Sequence, residues 1–294
     1  MTTTNFNRYT LSPESGGMSD EVGRAFVPGH ITGFFSIHEA DDPERAGSRG
    51  AGLTLSEGVT VTVEPAAETS IELNGEFAAV ESGRRVLDEL DETARISAET
   101  TLPLGSGFGV SGAVALGTAY AANDVFGDGR SENELVTLAH KAEVAAGTGL
   151  GDVVAQARGG IPIRLEPGGP EHNRLDGVPT RATVEYLSLG ELSTAEVLSG
   201  STNRLSRAGV DALVALVNQP TLQTFMAESN AFAERTGLLT DEVRAVIDDV
   251  HAAGGYASMA MLGETVFALD TGLSDAGYDA RACKTHHAGA TVLE

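Results

Sequence analysis

Apolar residues recur at every second position where Leu53, Leu55, Val59, Val61 and Val63 share one parity. Period two puts these side chains on one face, so 53–63 predicts a half-buried strand, with Glu57-Gly58 as a turn or bulge inside it. Shorter β-branched or apolar runs predict strands at 71–73, 94–98, 161–165, 182–189 and 265–269. Another is expected at 23–27, stopped by the turn signal Pro28-Gly29. Helical spacing takes over at 77–90, where Val80, Val86, Leu87 and Leu90 share a face. Further helices are expected at about 111–122, 132–146 (Ser131 as N-cap), 152–158, 194–198, 202–217, 221–235 and 240–253. The small residues of 254–263 predict a loop, and the chain after Thr271 reads as loop-rich.

Residues 1–20 are polar and carry no sustained pattern, which predicts a flexible tail. The Pro/Gly-rich stretch 167–179 marks a boundary, so the expected division is a tail, a unit over 21–178 and a second over 179–294. Strands and helices mix without regular βαβ alternation. That favours an α+β architecture over a doubly wound parallel sheet.

Charge sharpens this picture. Of 294 residues, 42 are Asp or Glu and 19 are Lys or Arg, a net charge of −23, and only Lys141 and Lys284 are lysines. Such a surface repels nucleic acid and anionic membranes. Acidity with so little lysine suits solubility in concentrated salt, where self-repulsion is screened. An anionic substrate then needs a local basic or backbone-built pocket. The single cysteine, Cys283, excludes an internal disulfide framework and fits a reducing cytoplasm. No apolar run reaches the roughly 18 residues needed to span a bilayer.

The stretch Pro103-Leu104-Gly105-Ser106-Gly107-Phe108-Gly109-Val110-Ser111-Gly112 leads into a predicted helix. Closely spaced glycines let backbone N–H groups surround a phosphate, and the helix N-terminus adds free donors and a positive dipole end. The Walker A pattern is absent. Gly107-x-Gly109-x-x-Gly112 matches the dinucleotide fingerprint, but there the first glycine follows the strand directly, whereas here Thr101-Leu102-Pro103-Leu104 intervenes. A protein-kinase glycine loop is excluded because its companion motifs are missing. A tight, closely packed strand-to-helix connection stays open as a purely structural account.

Pro103-x-Gly105-x-Gly107-x-Gly109-x-Ser111-Gly112-Ala113 resembles the central motif of the GHMP kinases. Val27-Pro28-Gly29-His30-Ile31-Thr32 resembles their N-terminal motif, and 254–269 their C-terminal glycine loop and following strand. Two further stretches, Gly33-Phe34-Phe35-Ser36-Ile37-His38 and Gly149-Leu150-Gly151-Asp152-Val153-Val154-Ala155-Gln156, are similar to the archaeal pantoate kinase branch. The chain departs from many members in carrying His30 where they have Lys or Arg, and in having few glycines in the third motif.

The resemblance implies a two-domain GHMP fold, with an N-terminal mixed α/β domain, a C-terminal α+β domain and the acceptor between them. It implies ATP and Mg²⁺, with nucleotide contacts from Pro103, Gly105, Ser106, Gly107, Phe108, Gly109, Val110, Ser111 and Gly112. It further implies Ser111 and Glu143 at the metal, Asp152 as catalytic base, His30 beside the reacting groups, and His38 at the acceptor pocket. The expected reaction is phosphorylation of pantoate to 4-phosphopantoate for coenzyme A, with mevalonate, shikimate or homoserine as rival acceptors and a non-catalytic nucleotide-binding regulator as a rival class. On the residues alone, Ser111 and Asp152 read equally well as helix caps and Glu143 as part of a solvated helix face. Arg24, Arg49 and Arg158 are the arginines proposed for the acceptor's carboxylate, without an order among them, and Arg158 is carried with His38 as a substrate residue. The expected partners are small molecules, with no nucleic acid and no membrane, and a homodimer is one assembly open to the chain.

Overall fold

The computed structural model describes residues 22–190, 202–261 and 263–294. The expected tail over 1–20 and the expected helix over 194–198 lie outside the described residues.

The fold is α+β, as the mixed pattern predicts, and is built on two sheets. The first is organised around a long antiparallel pair, β1 (Gly23–His38) and β2 (Gly47–Pro65). Short strands β3 (Ser70–Leu73) and β4 (Glu76–Phe77) sit at one edge beyond β5 (Ala94–Thr100), which pairs with β2. Strands β6 (Pro162–Glu166) and β7 (Arg174–Gly177) join at the start of β2 through Gly50 and Ala51. The second sheet contains β8 (Thr183–Gly190), β9 (Ala257–Ala260), β10 (Glu264–Leu269) and β11 (Arg281–Lys284), in the order β11-β8-β10-β9. The last strand, β12 (Thr291–Val292), returns to the first sheet beside Ala25 and Phe26.

The alternation in β2 works as read. Val59, Val61 and Val63 are fully buried. They meet α2 (Val110–Phe126), which is flanked by α1 (Glu81–Leu90) and α3 (Glu132–Ala146). Every residue of α2 from Gly112 to Ala122 is buried. A helix enclosed on all sides needs small side chains: a Cβ on Gly117 would lie 2.5 Å from Val61 Cγ2. Fully burying one such valine or leucine contributes about 1.5–3 kcal/mol. Helix α3 starts at the predicted cap: Ser131 Oγ accepts from Glu134 N, and Ser131 N donates to Glu134 Oε2 at 2.7 Å. The short α4 (Asp152–Arg158) follows.

Around the second sheet lie α5 (Thr202–Asn218), α6 (Leu222–Thr236), α7 (Asp241–Ala252) and α8 (Gly272–Asp275). Their core includes Phe225, Phe232, Val266 and Phe267, but also Ile31, Phe34 and Leu53 from β1 and β2. One strand pair therefore feeds both cores and fixes the two sheets to each other. Among the described residues no helix is long and apolar enough to cross a membrane.

Four expectations are corrected. Pro28-Gly29 does not end a strand; it lies inside β1, where a bulge between Pro28 and His30 absorbs the proline opposite Gly58. The 254–263 stretch is not all loop: Ala257–Ala260 is a fully buried strand, whose small residues pack under α6 and α7. Residues after Thr271 are more ordered than a loop-rich tail, supplying α8, β11 and β12. The helix expected from residue 77 begins at Glu81, because 76–77 form β4.

Candidate active site

Three separate stretches of sequence meet around the glycine-rich loop. His30 N donates to Phe108 O at 3.0 Å, and Met261 N donates to Thr32 O at 3.0 Å. Thr265 Oγ1 donates to Ser106 O at 2.9 Å. Gly263 lies so close that a Cβ there would be 2.2 Å from Ser106 C. Gln156, fully buried on α4, donates from Nε2 to both Pro28 O and Gly109 O at 3.0 Å.

The loop alternates in direction. Ser106 and Phe108 point inward as buried anchors, while Gly105, Gly107 and Gly109 take positive φ of 68°, 85° and 65°. Only glycine adopts such a run without strain. Among the described residues, the backbone N–H groups of 105–112 find no backbone acceptor. They open at the N-terminus of α2, whose cap is Gly109. Ser111 is therefore inside the helix and its side chain is free of capping duty, which removes that reading.

Ser111 Oγ donates to Glu143 Oε2 at 3.1 Å and lies 3.2 Å from Thr148 Oγ1 and 3.1 Å from Ser82 Oγ. Glu143 is 3% exposed, so it is not part of a solvated helix face. Burial pushes its carboxyl up to about 7, against the opposing hydroxyls of Ser82, Ser111 and Thr148, and the charge of Asp152 adds to the rise. Gly149 lies between the two acids: a Cβ there would be 2.8 Å from Glu143 Oε1 and 3.3 Å from Asp152 Oδ2.

Asp152 is the first helical residue of α4, one place past the N-cap Gly151, so it is not the capping residue. Its Oδ1 instead accepts from His30 Nδ1 at 2.7 Å. His30 is fully buried, and that burial lowers its pKa against the opposing hydrogen bond and charge of Asp152. Burial raises Asp152, but the His30 hydrogen bond, the charge of His30 and the charge of Arg164 outweigh it, leaving the acid below its ordinary value. The arrangement is an ionised carboxylate with one oxygen held and the other, Oδ2, turned to the space beside Gly149.

Arg164 completes the cluster and was not among the arginines expected from sequence. It is 1% exposed on β6, and among the described residues its Nε and Nη1 have no hydrogen-bond partner. A Cβ on Gly151 would lie 2.7 Å from its Nε. The available signal was a lone charge in the apolar alternation Ile161, Ile163, Leu165. The other expected residues lie elsewhere. His38 hydrogen-bonds Ser36 at 3.1 Å, and burial and Arg49 lower its pKa. Arg49 pairs with Glu166. Arg158 donates to Gly159 O at 3.3 Å and packs on Gly177. Arg24 offers its carbonyl to Leu293 N at the chain's last strand. Among the described residues no hydrogen bond joins His38, Arg158 or Arg49 to Asp152, Ser111 or Glu143.

Known proteins resemble this chain over most of its length. The family description "GHMP kinases N terminal domain" matches residues 77–160, which hold the loop, Ser111, Glu143 and Asp152. A pantoate kinase of Methanospirillum hungatei is 36% identical over 256 residues, covering 83% of this chain and 86% of that protein. A homoserine kinase of Halorubrum lacusprofundi is 33% identical over 282 residues, covering 83% and 93%. A solved structure described as a phosphotransferase related to the CoA biosynthesis pathway superposes with a TM-score of 0.83 at 31% identity, covering 93% of this chain and 99% of that one.

Proposed function

The chain belongs to the GHMP kinase family as an ATP-dependent small-molecule kinase, and from that premise we propose that it phosphorylates pantoate on its C4 hydroxyl, a step toward coenzyme A. The observation that carries the choice of acceptor is Arg164, a buried guanidinium with unpartnered donors beside Asp152. A buried cation without a partner is costly, and an acceptor carboxylate in that place relieves the cost.

On the nucleotide side, the N–H groups of 105–112 and the positive end of α2 receive the phosphates. The base fits the opening lined by Ile71, Phe77, Val80 and Arg84, next to the loop through the Ser82–Ser111 contact. Ser111 Oγ and the Glu143 carboxylate suit Mg²⁺, a hard cation that takes oxygen ligands. The fit rests on their 3.1 Å approach and on the room that glycine leaves at position 149. When bound, the ion neutralises charge on the phosphate oxygens.

His30 fixes Asp152 through Oδ1, so Oδ2 is the oxygen that meets the acceptor hydroxyl. The hydroxyl oxygen forms a bond to the γ-phosphorus while the bond from that phosphorus to the ADP oxygen breaks. The leaving ADP keeps the electron pair, and the hydroxyl proton goes to Asp152. Because Asp152 is held below its ordinary pKa, it is ionised at neutral pH and acts chiefly by orienting the hydroxyl and taking the proton late.

The homoserine kinase relative supports a second reading. Homoserine is a zwitterion and needs an acid for its ammonium group. Of the two acids here, Asp152 is assigned to the reacting hydroxyl and Glu143 to Mg²⁺, so neither is left for an ammonium and the cleft favours a net anion. The test is coupled ADP release with MgATP across pantoate, mevalonate, shikimate and homoserine. Pantoate-selective turnover supports the proposal, and turnover on homoserine instead replaces it. The net charge of −23 further leads us to expect activity that rises with KCl concentration.

A further inference from the structure

We propose that Tyr186, Glu57 and Arg281 are positioning residues that hold the glycine-rich loop in its phosphate-accepting shape. The proposal rests on reading 105–112 as the phosphate site.

The three side chains come from separate strands and converge under the loop. Tyr186 Oη, on β8, donates to Glu57 Oε2 at 2.5 Å. Arg281, on β11, donates from Nη2 to Glu57 Oε1 at 3.2 Å, and its guanidinium lies 5.6 Å from the centre of the Tyr186 ring. Two contacts carry this group to the loop. Arg281 Nη1 donates to Thr101 O at 2.6 Å, just before Pro103. The Phe108 ring meets the Tyr186 ring edge-on, with centroids 4.8 Å apart. The group therefore grips the loop at both ends of 101–108, and those ends bracket Gly105 and Gly107.

Stability is a poor account of this arrangement. The side chain of Arg281 is 48% exposed and that of Glu57 25%, and ion pairs so open to water add little to folding. Geometry is the better account. A loop with positive φ at alternate glycines has little stiffness of its own, since glycine has the most conformations to lose. If neighbours do not order it beforehand, the nucleotide must do so on binding, at the expense of affinity. The backbone carbonyl of Phe108 is also the acceptor for His30 N, so the same anchor keeps the loop in register with the His30–Asp152 pair.

The experiment uses the full chain with Tyr186→Phe, Arg281→Gln and Arg281→Lys. MgATP affinity is read by calorimetry, together with KM for MgATP, KM for the acceptor, kcat and melting temperature. Tyr186→Phe keeps the ring against Phe108 and removes only the hydroxyl, so about a fivefold rise in MgATP Kd and KM is expected. Arg281→Gln loses the reach to Thr101, and about a tenfold rise is expected. Arg281→Lys keeps a donor for Thr101 O and should recover part of that loss. Acceptor KM should stay within about twofold, which separates positioning of the loop from general damage. Unchanged MgATP affinity in Tyr186→Phe overturns the proposal, and so does an acceptor KM that rises in parallel. If the wild type itself binds no MgATP, the loop reading falls and this proposal falls with it.

Discussion

The proposed nucleotide side and the proposed acceptor side of this cleft are built for anions by opposite means. The nucleotide side is built from backbone: glycines at positive φ, N–H groups with no backbone acceptor among the described residues, and the start of α2. The acceptor side is built from buried side chains, with Asp152, His30 and Arg164 drawn from α4, β1 and β6. In a chain of net charge −23 with two lysines, both solutions avoid placing a mobile cation on the surface. Backbone dipoles cost no ionisable group, and one enclosed arginine is screened far less than an exposed one. The difference implies that the two sides should fail separately when altered.

The largest expected effect is on the acceptor side. Asp152→Asn should lower kcat by about a thousandfold while leaving MgATP affinity near the wild-type value, as steady-state kinetics and calorimetry would show. A matching loss of nucleotide affinity would break the separation. On the other side, Gly105→Ala places an alanine at a φ of 68°. The left-handed conformation costs about 1–2 kcal/mol, so KM for MgATP should rise about tenfold with acceptor KM unchanged.

Glu143 sits where the two sides meet, and pH tests it. Its folded pKa of about 7 lies above its ordinary 4.5, so the native state holds the proton more tightly than the unfolded chain. That contribution to stability is complete below pH 4.5 and is lost as pH rises through about 7. In a chelator, urea unfolding should show wild type losing stability relative to Glu143→Gln between pH 5 and about 8. Using the difference cancels the growing self-repulsion common to both. A flat difference would mean that Glu143 is solvated in solution. The smallest effect is a control remote from both sides: Ser131→Ala should cost about 1 kcal/mol in unfolding free energy and leave both KM values alone.

How well each side could be read from sequence follows from how it is built. The phosphate loop is local, so Gly105, Gly107, Gly109 and Gly112 announce it without any tertiary information. Asp152 stands out by following the glycine turn 147–151, but the residues alone read it equally well as a helix cap, and only the family resemblance points to a base. Arg164 is not legible, since its importance comes from the sheet that brings β6 beside β2 and places it next to Gly151. The inward anchoring by Ser106 and Phe108 is equally hidden, because their partners Thr265 and Tyr186 are distant in sequence. Strand β9 escaped notice because small residues that read as a turn also fit a crowded layer under two helices.

The central claim is that Arg164 selects an anionic acceptor for Asp152. The most direct measurement compares pantoate with its neutral carboxamide as acceptor, in wild type and in Arg164→Met, at saturating MgATP. The account predicts that wild type prefers pantoate by about a hundredfold in kcat/KM and that Arg164→Met loses most of this preference with MgATP KM unchanged. Equal preference in the two proteins would contradict it and would return the acceptor carboxylate to another cation.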